Sequence, residues 1–442
     1  MLFLIYVALT VIVIVAVSRN MNNEGYLIAN RNLGTISTAL SLTVSKFGGG
    51  LIIGLGSLIY VYGFSIFWFY IGFVFGYLSF YKFSLKLKDL SDKHKIYTMS
   101  DYYHVVHGSF IGNIASVLCF LCVLGLTCIN LIGGANVIEK ISAIPFEYAL
   151  ILMALFVGIY IALGGFRSVV ATDVLQAGII AICLCLFVFT FEKNQFSGLD
   201  FSLKTQQFLE PVVMFQFLFG FSFPFAMPDV WPRIYAIKEK ALLKISLTLT
   251  AVCFSVFGFI LTTLLLIIQN ELPSMEPIEA IIKGFQELLP SYLGGAMLVF
   301  LFAAVMSSLD SFLFQANIHL VKDFHFLEGK SFSKNLKMRS NLAMIFVLVI
   351  GLFVAFTIPD IVKMIMFFNV IVYILCFMAL LSWGKALSKT ILCLLLFFGF
   401  VGALYGFFMH GISAYMPIFT AIFTLPVLPY AFYFKFKEKP KP

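Results

Sequence analysis

The chain has 442 residues, of which 61% are hydrophobic and 11% charged, with a mean hydropathy of +1.03. Soluble domains average about 45–50% apolar and about 25% charged residues, so this composition excludes a water-soluble globular protein and makes lipid the main solvent. The net charge of +8 sits on basic residues in short segments between apolar runs, which is a membrane-topology pattern and excludes a nucleic-acid surface.

A helix crossing about 30 Å of hydrocarbon needs about 20 apolar residues. Runs of this kind lie at 2–18, 35–62, 64–83, 109–133, 146–164, 168–190, 212–235, 242–268, 293–318, 340–358, 361–383, 390–409 and 414–434, thirteen in all. The first lacks a basic leading region and an A-x-A-like end, so it reads as a span and not as a cleaved leader. An odd number of spans places the termini on opposite sides. With the N-terminus outside, the outer segments hold only Lys140, Lys193, Lys204, Lys283 and Lys363 of the 29 basic residues. Lys46 lies within a span, and the cytoplasmic segments, with Arg167 and Arg233 among their cations, hold the rest. The positive-inside rule therefore predicts an N-out, C-in protein of the cell (inner) membrane.

The second run, "SLTVSKFGGGLIIGLGSLIYVYGF", carries Lys46 and Gly48-Gly49-Gly50 at its middle. Small-residue pairs at Gly50 and Gly54 and at Gly72 and Gly76 also fit simple helix contacts. His104 and His107 in "DYYHVVHG" share a helix face but have no third ligand nearby, so they read as solvated loop residues. All eight cysteines fall inside apolar runs without zinc spacing and read as small buried hydrophobes. The seventh run contains "GFSFPFAMPDVWPR", where Pro224, Pro228 and Pro232 each remove a backbone donor. Downstream, Ile278, Ile281, Ile282, Phe285 and Leu288 have helical spacing and predict an amphipathic helix over the outer face. The tail "KFKEKPKP" carries no signalling module.

The glycine-rich and proline-rich runs both predict broken helices. Non-helical backbone at membrane depth persists only where it is buried in protein or lines a cavity. With the first span set aside, the broken runs open two sets of five, spans 2–6 and 7–11. Interrupted segments at matching places of two halves point to a central transport site. The corresponding boundaries are 1–34 for an extra helix and loop, 35–190 and 211–385 for the two sets, and 386–442 for flanking helices.

At this point the chain resembles the sodium:solute symporter family, and five stretches carry the likeness. "YLIANRNLG" (26–34) resembles the loop before the first broken helix, and 41–64 resembles that helix. "GGFRSVVATDVLQAGI" (164–179) is similar to the Gly-Gly…Thr-Asp…Gln signature. "MPDVWPRIYAIK" (227–238) resembles the end of the second broken helix, most of all in the proline-transporter branch. "FAAVMSSLDSFLFQANIHLVKD" (302–323) resembles the serine-rich helix. The resemblance implies an all-α polytopic membrane protein of leucine-transporter type, with an inverted repeat of five plus five helices and about 13 transmembrane helices. It implies a secondary active transporter, not an enzyme, that takes up a small organic solute with Na+ by alternating access, the two sets rocking about a fixed site.

The resemblance also implies a sodium site made of the carbonyls of Val44, Phe47 and Ala304 and the hydroxyls of Ser307 and Ser308. Neutral oxygens suit a hard cation, although serines in helices also bond back to the preceding turn. Asp173 matches the family's acidic residue in the neighbouring helix, with an interfacial cap near Arg167 as the alternative. Lys46 departs from the family's uncharged polar residue or aspartate. Its ammonium either replaces the coupling cation, pairs with Asp310, Asp173 or Asp229, or faces the substrate path and holds an anion. The first option makes transport sodium-independent, proton-coupled or facilitated. Gly48, Gly49, Gly50, Phe223, Pro224 and Met227 are the pocket candidates. Leu51, Tyr70 and Gly220 stand where sugar carriers place polar residues, and Pro224 stands where proline carriers place an aromatic. The pocket is thus more apolar than either kind, open to a small organic acid, amino acid or vitamin-like solute. Expected partners are the solute, Na+ and the lipid bilayer. No cofactor or nucleic acid is expected, and the sequence leaves the oligomeric state open.

Overall fold

In lipid, every backbone N–H must find a carbonyl inside its own segment, so long apolar runs become helices. The computed structural model describes residues 2–19, 21–142, 144–190, 199–201, 210–290, 293–324 and 335–437, and these are helical apart from their connections. The β pairing among them is one isolated bridge, Leu33 with Ile237.

The helices run in chain order as α1 (Leu2–Ser18), α2 (Asn23–Ile28), α3 (Thr35–Val44), α4 (Gly56–Tyr62), α5 (Trp68–His94), α6 (Met99–His107), α7 (Ser109–Ser142) and α8 (Phe146–Thr190). They continue as α9 (Pro211–Ala226), α10 (Val230–Ala236), α11 (Leu242–Glu271), α12 (Pro277–Glu287), α13 (Gly294–Ile318), α14 (Leu336–Thr357), α15 (Ile361–Trp383), α16 (Lys389–His410), α17 (Tyr415–Thr424) and α18 (Val427–Lys437). Among the described residues nine helical stretches are long and apolar enough to cross a bilayer, or ten if α9 and α10 form one span. That differs from the thirteen runs of the sequence for physical reasons. α1 has only 17 residues and α3 only 10. The fifth and sixth runs merge in α8, a helix pair bent at Gly165, whose φ of 57° is one that glycine alone adopts without strain.

Both expected breaks are present. α3 stops at Val44, residues 45–48 leave the helix, and the chain resumes as a π-turn, Gly50–Leu55, leading into α4. α9 stops at Ala226 and α10 starts at Val230, with a bend of 44°. Pro224 inside α9 supplies no N–H to the carbonyl four residues back. Its own carbonyl accepts from Trp231 Nε1 at 3.2 Å, which ties the two halves of the break.

α5 and α9 cross in close backbone contact. A Cβ at Gly72 or Gly76 would collide with the backbone of Phe217 or Phe221, and one at Gly220 with the carbonyl of Phe69. Gly72 and Gly76 therefore serve helix packing. A core of rings fills the layer beside them, where Phe73 stacks on Phe254 at 3.9 Å and Phe47 meets Phe254 edge-on at 5.6 Å. α12 is the expected amphipathic helix: Ile281 and Phe285 are buried, and it packs on α4, α11 and α13. The side chains of Ile278 and Ile282 lie outside the described residues, as do 191–198, 202–209 and the end of the tail. One expectation needs correction. Cys185 and Cys393 are exposed and Cys253 is half-buried, because helix faces turned to lipid accept a thiol as readily as a core does.

Candidate functional site

A charge in an apolar interior persists when it is paired. Lys46, in the first break, and Asp229, in the second, meet this condition together. Lys46 Nζ donates to both carboxylate oxygens of Asp229 at 2.5 Å, and the side chains are 1% and 0% exposed. The Phe312 ring lies 5.2 Å from the same ammonium. Of the three acidic partners open to Lys46, the fold selects Asp229.

Arg233, one turn along α10, extends the pair into a network. Its Nη1 donates to the Asp229 carboxylate at 3.2 Å and to the Asp229 carbonyl at 2.8 Å. Its Nη2 donates to Asp173 Oδ2 at 2.9 Å and Ser311 Oγ at 2.7 Å, and its Nε to Ser41 Oγ at 2.7 Å. Ser41 in turn donates to Asp173 at 2.5 Å. Two cations face two carboxylates, drawn from α3, α8, α10, α13 and the breaks. Asp173 is thus a buried network member and not an interfacial cap. Arg233, counted above among the cytoplasmic cations, is fully buried. The signal for its role was present in "MPDVWPR", where an aspartate and an arginine four apart share one helix face. Asp310 stays outside the network. Tyr160 and Thr172 hydroxyls reach its Oδ2, and its Oδ1 has no hydrogen-bond partner among the described residues.

The serine-rich helix meets the first break directly. Ser307 Oγ lies 2.9 Å from the carbonyls of both Val44 and Ala304, and Ser308 Oγ donates to the Ser45 carbonyl at 3.0 Å. Ser307 has one proton for two carbonyls, so lone pairs remain in a buried cluster of neutral oxygens. That donor set fits a small hard cation. Val44, Ala304 and Ser307 come together here with Ser308 beside them. Phe47 joins through its N–H, which donates to the Val44 carbonyl at 2.9 Å.

A cavity of about 110 Å³ opens between the breaks. Its wall includes Lys46, Gly48, Gly50, Phe223, Met227 and Ser308 from the sequence reading. Gly48 is required by space, since a Cβ there would run into Asn130 and Ser308. Gly49 packs on Gly133 instead, and Gly49 and Pro224 are not among the lining residues. Phe69, Phe215, Phe219 and Phe312 supply apolar surface. Sequence reasoning missed five polar residues in the wall, Ser45, Asn130, Gln216, Asn369 and Tyr373, because single neutral polar residues barely change the hydropathy of an apolar run. His104 and His107 bond to Ser116 and Ser382, and no group of three or more metal-ligating side chains occurs among the described residues.

Two broken helices around a small apolar cavity, with a cluster of neutral oxygens alongside, form a transport-site arrangement. A family model described as the sodium:solute symporter family matches residues 26–406. The chain belongs to the sodium:solute symporter family. It is similar to the sodium/proline symporter 2 of Staphylococcus saprophyticus, 23% identical over 77% of this chain and 71% of that protein. It is also similar to the sodium/pantothenate symporter of Haemophilus influenzae, 24% identical over 62% of this chain and 60% of that one. Among solved structures, a Na+-coupled sialic acid symporter in its substrate-bound outward-open state superimposes with a TM-score of 0.72 at 18% identity, covering 97% and 96% of the two chains. A nucleobase-cation-symport-1 family transporter superimposes with a TM-score of 0.53 at 11% identity, covering 93% of this chain and 96% of that one. This symporter-family chain is accordingly an integral membrane, secondary active transporter of small solutes, with the all-α fold implied by its sequence.

Proposed function

We propose that the chain takes up a small organic solute together with Na+ by alternating access, the solute occupying the cavity between the breaks. Na+ is held by the Val44, Phe47 and Ala304 carbonyls and the Ser307 and Ser308 hydroxyls, and Lys46 is a structural partner of Asp229. Residues 35–190 and 211–385 form the two five-helix repeats; with α1 crossing once, α3 and α4 together crossing once and α8 crossing twice about its Gly165 bend, the spans number thirteen, with the N-terminus outside and the C-terminus in the cytoplasm of an inner-membrane protein. The observation that carries the reading is the contact of Ser307 and Ser308 with the Val44 and Ser45 carbonyls at 2.9 and 3.0 Å. It supports a cation pocket built on neutral oxygens and not on the Lys46 charge.

The second reading makes Lys46 the substitute for the coupling cation. It is favoured by one observation, a fixed ammonium inside the first break. Uptake of labelled solutes into proteoliposomes, with and without a Na+ gradient, separates the two. Na+-dependent uptake by the wild type is expected. Uptake that ignores Na+ in the wild type and gains Na+ dependence in Lys46→Asn would overturn the first reading in favour of the second. Thiol labelling of Arg19→Cys from the cytoplasmic side alone is the expected result for the orientation.

A further inference from the structure

We infer that the solute of this cavity is an uncharged molecule bearing N–H or O–H donors, a small lactam, cyclic urea or primary amide, and not a carboxylate or a zwitterion. The inference rests on the transport reading above and narrows its substrate class. A charged solute entering a buried site needs a counter-charge or a set of free backbone dipoles, because an unpaired buried charge is strongly unfavourable. In this cavity the one cation is already paired, and three of the amides after the break are taken.

Lys46 is the one charged side chain among the lining residues, and it spends two of its donors on Asp229. Asp229 in turn holds Arg233, and Arg233 is shared among Asp173, Ser41 and Ser311. To take a carboxylate, Lys46 would have to share its charge with one it already holds at 2.5 Å, in a network whose two cations and two carboxylates already balance. The other source of anion affinity is the start of the half-helix after the break, where free amides point at the solute. Here three of those amides are occupied. Gly49 N–H donates to Asn130 Oδ1 at 3.0 Å, and Asn130 is fixed by its own Nδ2, which donates to the Leu126 carbonyl at 2.8 Å. The amides of Leu51 and Ile52 both donate to the Gly48 carbonyl at 3.0 Å.

What remains uncommitted is neutral. Gln216 lines the cavity, and its Oε1 is buried with no donor. Asn369, half-buried on α15, makes no hydrogen bond among the described residues. A buried amide oxygen without a donor is satisfied by a solute N–H or O–H. The Phe219, Phe223 and Phe312 rings accept the apolar body of such a molecule.

The test measures thermal protection of the purified full-length protein in Na+ by matched pairs at millimolar concentration: 2-pyrrolidinone against pyroglutamate, and uracil against orotate. L-Proline serves as the zwitterion. Protection by neutral members alone is expected. Gln216→Leu and Asn369→Leu should each weaken that protection about tenfold, equivalent to about 1.4 kcal/mol, from a baseline stability recorded without ligand. Protection of the wild type by the carboxylates or by proline, or by no member of the set, overturns the inference. Na+-driven uptake of pyroglutamate into proteoliposomes would overturn it while leaving the transport reading intact. Neutral ligands that bind yet are never taken up would sustain it and sink the transport reading.

Discussion

Asp229→Asn tests the central network most directly. It leaves the Lys46 ammonium, 1% exposed, with a neutral amide oxygen in place of the carboxylate and the Phe312 ring at 5.2 Å. Removing one partner of a buried pair costs about 3–5 kcal/mol, and a desolvated cation–π contact offsets only about 2 kcal/mol, a term already present in the wild type. The reciprocal change, Lys46→Met, is milder, because Asp229 keeps Arg233 at 3.2 Å. It should cost about 1.5–3 kcal/mol, the worth of one hydrogen bond to a charged group. The double variant removes both members of the pair and returns the network to Arg233 facing Asp173, so the two costs should not add. A coupling energy of about 1–3 kcal/mol is expected. Thermal and denaturant unfolding of the purified protein in detergent, across the four members of this cycle, measures each quantity. Equal costs for the two single variants, or additivity in the double, would refute the assignment of Asp229 as the sole carboxylate of Lys46.

Three further outcomes follow from the same geometry. Ser307→Ala removes the hydroxyl between the Val44 and Ala304 carbonyls and should raise the half-saturating Na+ concentration for uptake about tenfold; an unchanged Na+ dependence would relocate the cation. Gly220→Val forces a side chain onto the Phe69 carbonyl, a backbone atom that cannot step aside, and should cost at least about 1–3 kcal/mol in detergent unfolding or abolish folded yield; wild-type stability would contradict the close α5–α9 crossing. Burial, with Lys86 nearby, holds the His107 imidazole down to about 4 from its ordinary 6.5. The unfolded chain therefore binds a proton that the fold refuses, and stability should fall as pH drops from about 6.5 towards 4. His107→Asn should flatten that part of the pH profile, and an unaltered profile would argue against it.

What the sequence made legible was local. Three glycines and three prolines determine where a helix fails, and both breaks fall inside the quoted runs. Ser307 and Ser308 could be paired with the first break through the family likeness, and they turn out to bond to Val44 and to its neighbour Ser45. What stayed hidden depends on long-range geometry. Lys46 and Asp229 are 183 residues apart, and nothing local distinguishes Asp229 from Asp173 or Asp310 as the partner. Arg233 was misread because a cation near the end of an apolar run looks like a loop residue when spans are counted by hydropathy. The cavity's amides went unseen for a related reason: a single Gln216 or Asn369 inside an apolar helix signals nothing until its neighbours are known.

The charge network also constrains how such a protein moves. Lys46 and Asp173 belong to 35–190, whereas Asp229, Arg233 and Ser311 belong to 211–385. Rocking the whole first set against the whole second would pull apart several buried pairs, each worth about 3–5 kcal/mol when one partner is left behind. A cycle that repeats this each turn has no compensating contact in view, since Lys46 has no second carboxylate to move to. The two breaks are therefore expected to travel as one body, with α3, α4, α9 and α10 moving together and sliding against the rest. Spin labels at Val61 on α4 and Lys238 just past α10, both exposed, report on this. Their separation should hold constant between Na+-free and Na+-loaded protein. A change approaching one helical turn, about 5.4 Å, would show that the bridge opens during transport and that Lys46 spends part of the cycle without Asp229.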